Sequence, residues 1–193
     1  MRPLLIYTTV AMLCVAAGAA WFFHPSATSD QGVQGEATSS PNWTSDVQSA
    51  AGALKPHRAA PAGEREFYSE AFHFSLFYPA DLVESERNEG GGAITFSFQN
   101  TATAQGFQIF VVPYAGSQVS TSRFAQDEPS GVMQSPQNVT IDGATGSSFF
   151  GQDAALGDTA EVWFIHGGYL YEVTSLRPLA SWLSQIMSTW EFL

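Results

Sequence analysis

An acidic loop in the last quarter of the chain is the one group of residues that could bind a hard cation. Asp153 and Asp158 lie five residues apart, and Glu161 follows three residues later. Calcium favours several oxygen ligands close together, so these three carboxylates are the candidate metal ligands. Their spacing differs from the EF-hand pattern, and a solvated acidic turn would carry the same residues. Both interpretations follow from the sequence.

The sequence offers no arrangement typical of a catalytic centre. Nucleophilic hydrolysis needs a nucleophile on a sharp turn with a base in reach, and a Gly-x-Ser-x-Gly motif is absent. His73 and His166 each fall in or at the end of a predicted strand, where an ordinary strand residue is expected. The glycine run 90–92 has no lysine partner, unlike a phosphate loop. The sequence therefore predicts a non-catalytic protein without a cofactor.

Strands are the main elements that must position these residues. Alternating apolar residues predict strands over 72–78 and 94–98. The segment 107–112 is apolar on both faces, as expected of a central strand that is covered on two sides. Asp142 and Gly143 form a favoured hairpin turn between two further strands.

The strongest hairpin signal and the strongest helix signal both lie near the C-terminus. Gly167 and Gly168 can supply the positive φ angles of a type I′ turn between two aromatic and β-branched arms. Pro178 can occupy the first turn of a helix. Apolar residues then recur at helical spacing: Leu179, Trp182, Leu183, Ile186, Met187 and Trp190. A weaker helix is predicted over 119–125, followed by a loop over 129–136.

Charge divides the chain into a neutral N-terminal part and an acidic domain. Residues 24–65 are polar and lack apolar periodicity, which predicts a disordered linker. Residues 66–193 carry 14 acids against three arginines, a net charge of −11. Such a surface cannot bind phosphate groups, so nucleic acid is excluded as a partner. The acids at 84–89 and 127–128 are predicted to face solvent.

An apolar segment at the N-terminus predicts attachment to a membrane. Residues 3–23 form a run of 21 mostly apolar residues without a charge, which is about the length that crosses the hydrocarbon core. Arg2 precedes it and the next basic residue is Lys55, so the N-terminus is predicted to be cytosolic and the domain to be outside. A signal peptide cleaved near Ala19 is the alternative, although Trp21 continues the apolar run. An uncleaved signal-anchor over 1–23 is favoured.

Three short motifs resemble those of the PsbP-like and Mog-type domains. Residues 72–79 resemble the opening F-x-F-x-x-x-YP strand, residues 168–174 resemble the Gly-Tyr-x-Tyr-x-x-Thr strand, and residues 186–192 resemble the closing motif. The resemblance implies an α+β fold in which an antiparallel sheet is flanked by helices, an α/β/α sandwich. It also implies a mostly non-catalytic family that includes extrinsic photosystem subunits, a Ran-binding protein and bacterial exported proteins. The matched positions are framework residues, so no functional residue carries over.

These observations predict a membrane-tethered, extracytoplasmic, non-catalytic domain that binds or scaffolds another exported or membrane protein. An exposed aromatic group that includes Trp163 or Tyr169 would support this function. The alternative is a receptor for a small ligand or divalent cation that uses Asp153, Asp158 and Glu161.

Overall fold

The computed structural model describes residues 55–193, and antiparallel strands dominate this part of the chain. The predicted N-terminal anchor and most of the predicted linker lie outside the described residues. Within residues 55–193, no helix has the length and apolar character needed to cross a membrane. The elements are β1 (Glu64–Ser69), β2 (Phe74–Pro79), β3 (Val83–Gly90), β4 (Ala93–Asn100), β5 (Gln105–Pro113), α1 (Thr121–Asp127), β6 (Gln134–Ile141), β7 (Ala144–Asp153), β8 (Gly157–His166), β9 (Tyr169–Leu176), α2 (Ala180–Met187) and β10 (Glu191–Phe192).

The strands form two antiparallel sheets. The larger has seven strands in the order β3-β4-β5-β9-β8-β7-β6, and the smaller has three in the order β1-β2-β10. In the larger sheet, the meander β3-β4-β5 and the meander β6-β7-β8-β9 meet where β5 pairs with β9. Helix α1 lies in the connection between the two meanders.

The two hairpins predicted from glycine-containing turns are both present. Gly167 and Gly168 have φ angles of 57° and 85° between β8 and β9. Asp142 and Gly143 have φ angles of 41° and 84° between β6 and β7. Positive φ at both central positions gives the turn a twist that matches the flanking strands, which explains why these hairpins could be predicted.

The core lies between the two sheets and is rich in aromatic side chains. Phe74 of β2 is fully buried and stacks on Trp190 with ring centroids 4.2 Å apart. Phe164 and Tyr171 from the larger sheet stack on each other at 5.0 Å and contact Trp190 edge-on. Helix α2 adds its buried side chains beside the smaller sheet: Leu183, Ile186 and Met187.

The predicted antiparallel sheet is confirmed, whereas the layers on its faces differ from the predicted α/β/α sandwich. One face of the larger sheet is covered by the smaller sheet together with α2, and α1 packs on the other face. The smaller sheet consists of the β1–β2 hairpin and of β10, which pairs with the other edge of β2 and places Phe192 opposite Phe74. The fold is therefore mostly β, with few helices.

Helix and domain boundaries also differ from those predicted. Helix α1 starts at Thr121 because the Ser120 hydroxyl accepts a hydrogen bond from the Arg123 backbone N–H. The predicted loop over 129–136 contains the first residues of β6. The last residues of the predicted linker belong to the domain, since Arg58 donates from Nη2 to the carbonyl of Thr189 at 2.9 Å and β1 already begins at Glu64.

We expect Tyr171→Phe to lower the free energy of unfolding by about 1–2 kcal/mol. The Tyr171 hydroxyl donates a buried hydrogen bond of 2.9 Å to the carbonyl of Phe72, and phenylalanine would leave that carbonyl unpaired. Urea unfolding of the full-length chain would measure the change. Tyr68→Phe is the matched control, because the Tyr68 hydroxyl donates to the exposed Lys55 carbonyl. Equal losses in the two variants would contradict the assigned role.

Candidate functional site

The predicted cation ligands Asp153 and Asp158 lie on either side of the turn between β7 and β8. Asp153 accepts hydrogen bonds of 2.7 Å from the backbone N–H groups of Ala155 and Leu156, so its carboxylate stabilises the turn. Asp158 faces Gln152 across the hairpin and lies 3.9 Å from Arg177 Nη1. Both aspartates are exposed.

Glu161 is separated from Asp158 by the sheet and from Asp153 by its position further along β8, away from the turn. Successive side chains of a strand point to opposite faces, so Asp158 and Glu161, three residues apart, lie on opposite faces of β8. Glu161 is 4% exposed, whereas Asp158 is exposed. The structure therefore does not bring the three side chains together, and residues 55–193 contain no group of three or more His, Cys, Asp or Glu side chains placed to hold a metal ion.

The unusual chemistry of the described chain lies beneath α1, in a group that we call the carboxylate cluster. Its members are one arginine and four acids: Arg123, Asp127, Glu128, Glu161 and Glu172. Glu128, Glu161 and Glu172 are 4%, 4% and 6% exposed. Arg123 is hydrogen-bonded through Nε to Asp127 on the same helix, and its Nη2 lies 3.8 Å from Glu172 Oε1. The carboxylate cluster therefore contains one cation and four acids.

Donors from its own strand hold the Glu161 carboxylate. The Thr159 hydroxyl donates to Oε1 at 2.7 Å, and the Trp163 indole N–H donates to Oε2 at 2.8 Å. Gly151 on β7 lies against both this carboxylate and that of Glu128, with no space for a side chain. The pKa of Glu161 is raised to about 7, mainly by burial and in part by the nearby Glu128, while the hydrogen bonds from Thr159 and Trp163 lower it.

Glu172 is the most strongly perturbed acid of the carboxylate cluster. Its Oε1 atom is buried without a hydrogen-bond partner. The pKa of Glu172 is raised to about 10, mainly by burial and in part by Asp127, while the charge of Arg123 lowers it. Glu172 is therefore protonated at neutral pH. Because a neutral carboxyl removes one negative charge, the single arginine can balance more of the remaining charge.

A wide groove borders the carboxylate cluster along α1. Its volume is 660 Å³. Phe124 of α1 packs on Phe149 and Trp163 of the sheet at centroid distances of 6.0 and 5.5 Å, and these three rings form the floor. Met133, which is 41% exposed, and Val119 lie at the rim beside hydroxyl-bearing residues. Its lining contains no titratable side chain. We call this feature the aromatic groove.

Neither Trp163 nor Tyr169, whose exposure at the hairpin would support a binding function, is exposed. Trp163 is 3% exposed and lies under α1, where its indole N–H is used by Glu161. Tyr169 is half-buried and packs edge-on against Phe72 at 5.2 Å. Among the three rings that form the floor of the aromatic groove, Phe124 is partly exposed, whereas Phe149 and Trp163 are buried.

A second cleft, of 460 Å³, lies on the opposite face between α2 and strands β6 to β8. Its walls are mainly apolar and hydroxyl-bearing, and include Val139, Ile141, Val162, Leu183 and Met187.

The two histidines that the sequence predicts to be ordinary strand residues, His73 and His166, lie outside both clefts. His166 stacks on Phe192 with centroids 3.6 Å apart, and His73 occupies the turn before β2 with a φ of 54°.

Comparison with solved structures identifies the architecture. The solution structure of cyanobacterial PsbP (CyanoP) from Synechocystis sp. PCC 6803 superposes with a TM-score of 0.50, covering 72% of this chain and 98% of that chain at 8% identity. The chain has a PsbP-like fold. No protein-family model matches the sequence, and no curated protein matches it. The PsbP-like fold agrees with the resemblance predicted from the three motifs.

The three motifs are the framework of this PsbP-like fold. Residues 74–79 form β2, residues 169–174 lie in β9, and residues 186–192 run from the end of α2 through Trp190 into β10. Their aromatic side chains meet in the core, where Phe74, Tyr171 and Trp190 are in mutual contact. This packing explains why the motifs indicate a fold and not a reaction.

The carboxylate cluster was missed from the sequence, although a signal was present. Glu172 stands inside an otherwise aromatic and apolar strand, and a charge at such a position is a candidate for a functional or paired buried group. Asp127 and Glu128 were predicted to face solvent. That prediction was wrong for both acids. The Asp127 side chain is 9% exposed and paired with Arg123, and the chain turns after α1 and directs the Glu128 carboxylate towards Glu161 and Ser130.

Proposed function

We propose that this chain is a non-catalytic binding protein, tethered to a membrane by residues 3–23, with its PsbP-like domain outside the cytosol. The aromatic groove would receive an apolar segment of another exported or membrane protein. The observation that carries this proposal is the groove lining, which combines three aromatic rings, an exposed methionine and hydroxyl groups with no titratable side chain. Such a lining favours burial of apolar surface over proton transfer.

The surroundings of the aromatic groove support binding in preference to catalysis. The perturbed acids of the carboxylate cluster are buried behind Trp163 and α1, and they do not line the groove. A general acid or base must come within hydrogen-bond reach of the reacting group. The cluster instead supports α1, which forms one wall of the groove. The PsbP-like fold is consistent with this role, since such folds are typically non-enzymatic.

Photo-crosslinking in native membranes would test the proposal. A photoreactive amino acid at position 133 of the full-length chain should give a discrete adduct with an exported or membrane protein, formed through an apolar segment of that protein. Thr145→Trp should abolish the adduct because the indole would fill the groove from its exposed rim. A photoreactive residue at position 156, on the β7–β8 turn, is the control.

Several results would reject the proposal. The first is an adduct that forms equally from position 156, which would indicate contact without a site. The second is an adduct that persists in the Thr145→Trp variant. The third is the absence of any adduct, which would contradict binding at the groove. The fourth is an adduct with a cytosolic protein, which would contradict the proposed topology.

A further inference from the structure

Strand β3 leaves one edge of the larger sheet uncovered. All eight residues of β3 are exposed, and Val83 is 72% exposed. Its inner edge pairs with β4, and no other strand of residues 55–193 pairs with its outer edge. An unpaired edge presents backbone N–H and C=O groups that can form a ladder with another extended chain.

The opposite edge of the same sheet is blocked. Strand β6 contains Pro136, which has no backbone N–H, and its pairing with β7 is interrupted between Gln134 and Gln137. Proline and irregular register are common means of preventing strand addition at an edge. Strand β3 has no proline, and its register is regular from Val83 to Asn88. The two edges of the sheet are therefore not equivalent.

The charges of β3 determine which kind of strand can pair with its outer edge. Glu84 and Glu86 lie opposite Phe98 and Phe96 of β4, so their side chains project on the same face of the sheet. On the other face, Glu89 accepts hydrogen bonds from Arg87 and Thr95, so one acid is already paired with a cation. A second copy of β3 would bring like charges together, whereas lysine or arginine on an added strand would face Glu84 and Glu86.

We propose that the outer edge of β3 binds an extended basic segment of a partner protein by β-strand addition. Backbone hydrogen bonds would supply the pairing, and lysine or arginine at alternate positions of the segment would face Glu84 and Glu86. The net charge of −11 carried by residues 66–193 would attract such a segment from solution. This site is independent of the aromatic groove, since β3 and α1 occupy separate parts of the fold.

A labelled eight-residue peptide in which lysine alternates with valine or threonine is the probe. The purified full-length chain should bind it, and binding should weaken as salt is raised. Hydrogen exchange measured by NMR should show new protection at every second amide of β3 upon binding, because alternate amides of an edge strand point outward. A peptide of the same charge with proline at every third position should not produce this protection.

Charge variants of β3 complete the test. Glu84→Gln combined with Glu86→Lys should weaken binding by about tenfold, since two exposed charge interactions are lost or reversed. The glutamine can still accept the hydrogen bond that the Tyr78 hydroxyl donates to Glu84 at 3.1 Å. Glu64→Gln combined with Glu70→Lys makes the same change in net charge on exposed residues elsewhere and should bind like the parent chain.

Three outcomes would overturn the proposal. Binding without alternate amide protection in β3 would indicate adhesion to a negatively charged surface only. Equal weakening by the two charge variants would indicate that net charge, and not this edge, attracts the peptide. Failure of the peptide to bind at low salt would exclude a basic strand as the occupant. None of these results depends on the adducts formed at the aromatic groove.

Discussion

Arg123→Met should lower the free energy of unfolding at pH 8 by about 3–5 kcal/mol. Within residues 55–193, Arg123 is the single cation of the carboxylate cluster, and its side chain is only 15% exposed. Methionine fills similar space along the helix but leaves Asp127 and the neighbouring acids without a counter-charge. Removing one partner of a buried ion pair is costly because the remaining charge has lost its solvent. Urea unfolding of the full-length chain would measure the loss.

The same variant should lose less stability at pH 5 than at pH 8. At the lower pH Glu161, with a pKa of about 7, is protonated, so the carboxylate cluster carries less negative charge and depends less on Arg123. Arg177→Met is the control, since Arg177 is exposed and lies 3.9 Å from the exposed Asp158. The control should change stability by less than about 1 kcal/mol at either pH. A loss for Arg123→Met at pH 5 that equals or exceeds the loss at pH 8 would contradict the electrostatic explanation.

The sequence was informative where local chemistry determines structure. Gly167 and Gly168 can adopt the φ angles of a type I′ turn, so the β8–β9 hairpin follows from two residues and their flanking arms. The alternation in 74–78 predicts a half-buried strand, and Phe74, Leu76 and Tyr78 are indeed buried. The helix after Pro178 likewise places Leu183, Ile186 and Met187 in the core.

The sequence was uninformative where long-range pairing determines structure. The third strand of the smaller sheet depends on Phe192 pairing with Phe74, more than 100 residues away in the chain. No local pattern specifies that contact, so a single sheet flanked by helices was the natural prediction. The unpaired edge of β3 is likewise a property of strand order, because 84–89 has the same composition whether its neighbours cover it or not.

The carboxylate cluster could not be predicted for a similar reason. Its members come from α1, β8 and β9, and their proximity depends on how α1 crosses the face of the larger sheet. Asp153 and Asp158 are close in sequence, which makes the acidic loop a candidate site. The acids that interact, Glu128 with Glu161 and Asp127 with Glu172, are distant in sequence. The composition indicates an acidic domain, and the fold determines which of its acids are buried.

The cluster also connects protonation to the aromatic groove. Arg123 and Asp127 lie one turn apart on α1, and Phe124 of the same helix packs against Trp163 in the groove floor. Trp163 in turn donates its indole N–H to Glu161. A charge that develops at Glu172 therefore acts on Arg123 of α1, and a charge at Glu161 acts on the Trp163 ring. Both α1 and Trp163 line the aromatic groove.

We expect the parent chain to become less stable as pH rises from 5 to 8, by roughly 6 kcal/mol. The folded-state pKa values are about 7 for Glu161 and about 10 for Glu172, both above the ordinary glutamate value of 4.5. Between the ordinary and the raised pKa, the folded domain keeps protons that the unfolded chain has released. The contribution of these two glutamates to stability is fully present below pH 4.5. As pH rises, the contribution of Glu161 is lost up to about pH 7 and that of Glu172 up to about pH 10.

Thermal and urea unfolding at several pH values, with and without the two glutamates, would test this dependence. Glu161→Gln combined with Glu172→Gln removes both titrations while preserving side-chain size, so its stability should change less between pH 5 and pH 8. The exposed pair Glu64→Gln and Glu70→Gln is the matched control and should keep the slope of the parent chain. An unchanged slope in the Glu161 and Glu172 variant would place the pH dependence elsewhere in the acidic domain. A parent chain that becomes more stable with rising pH would mean that both carboxyls ionise more readily in the folded than in the unfolded state, which burial beneath α1 opposes.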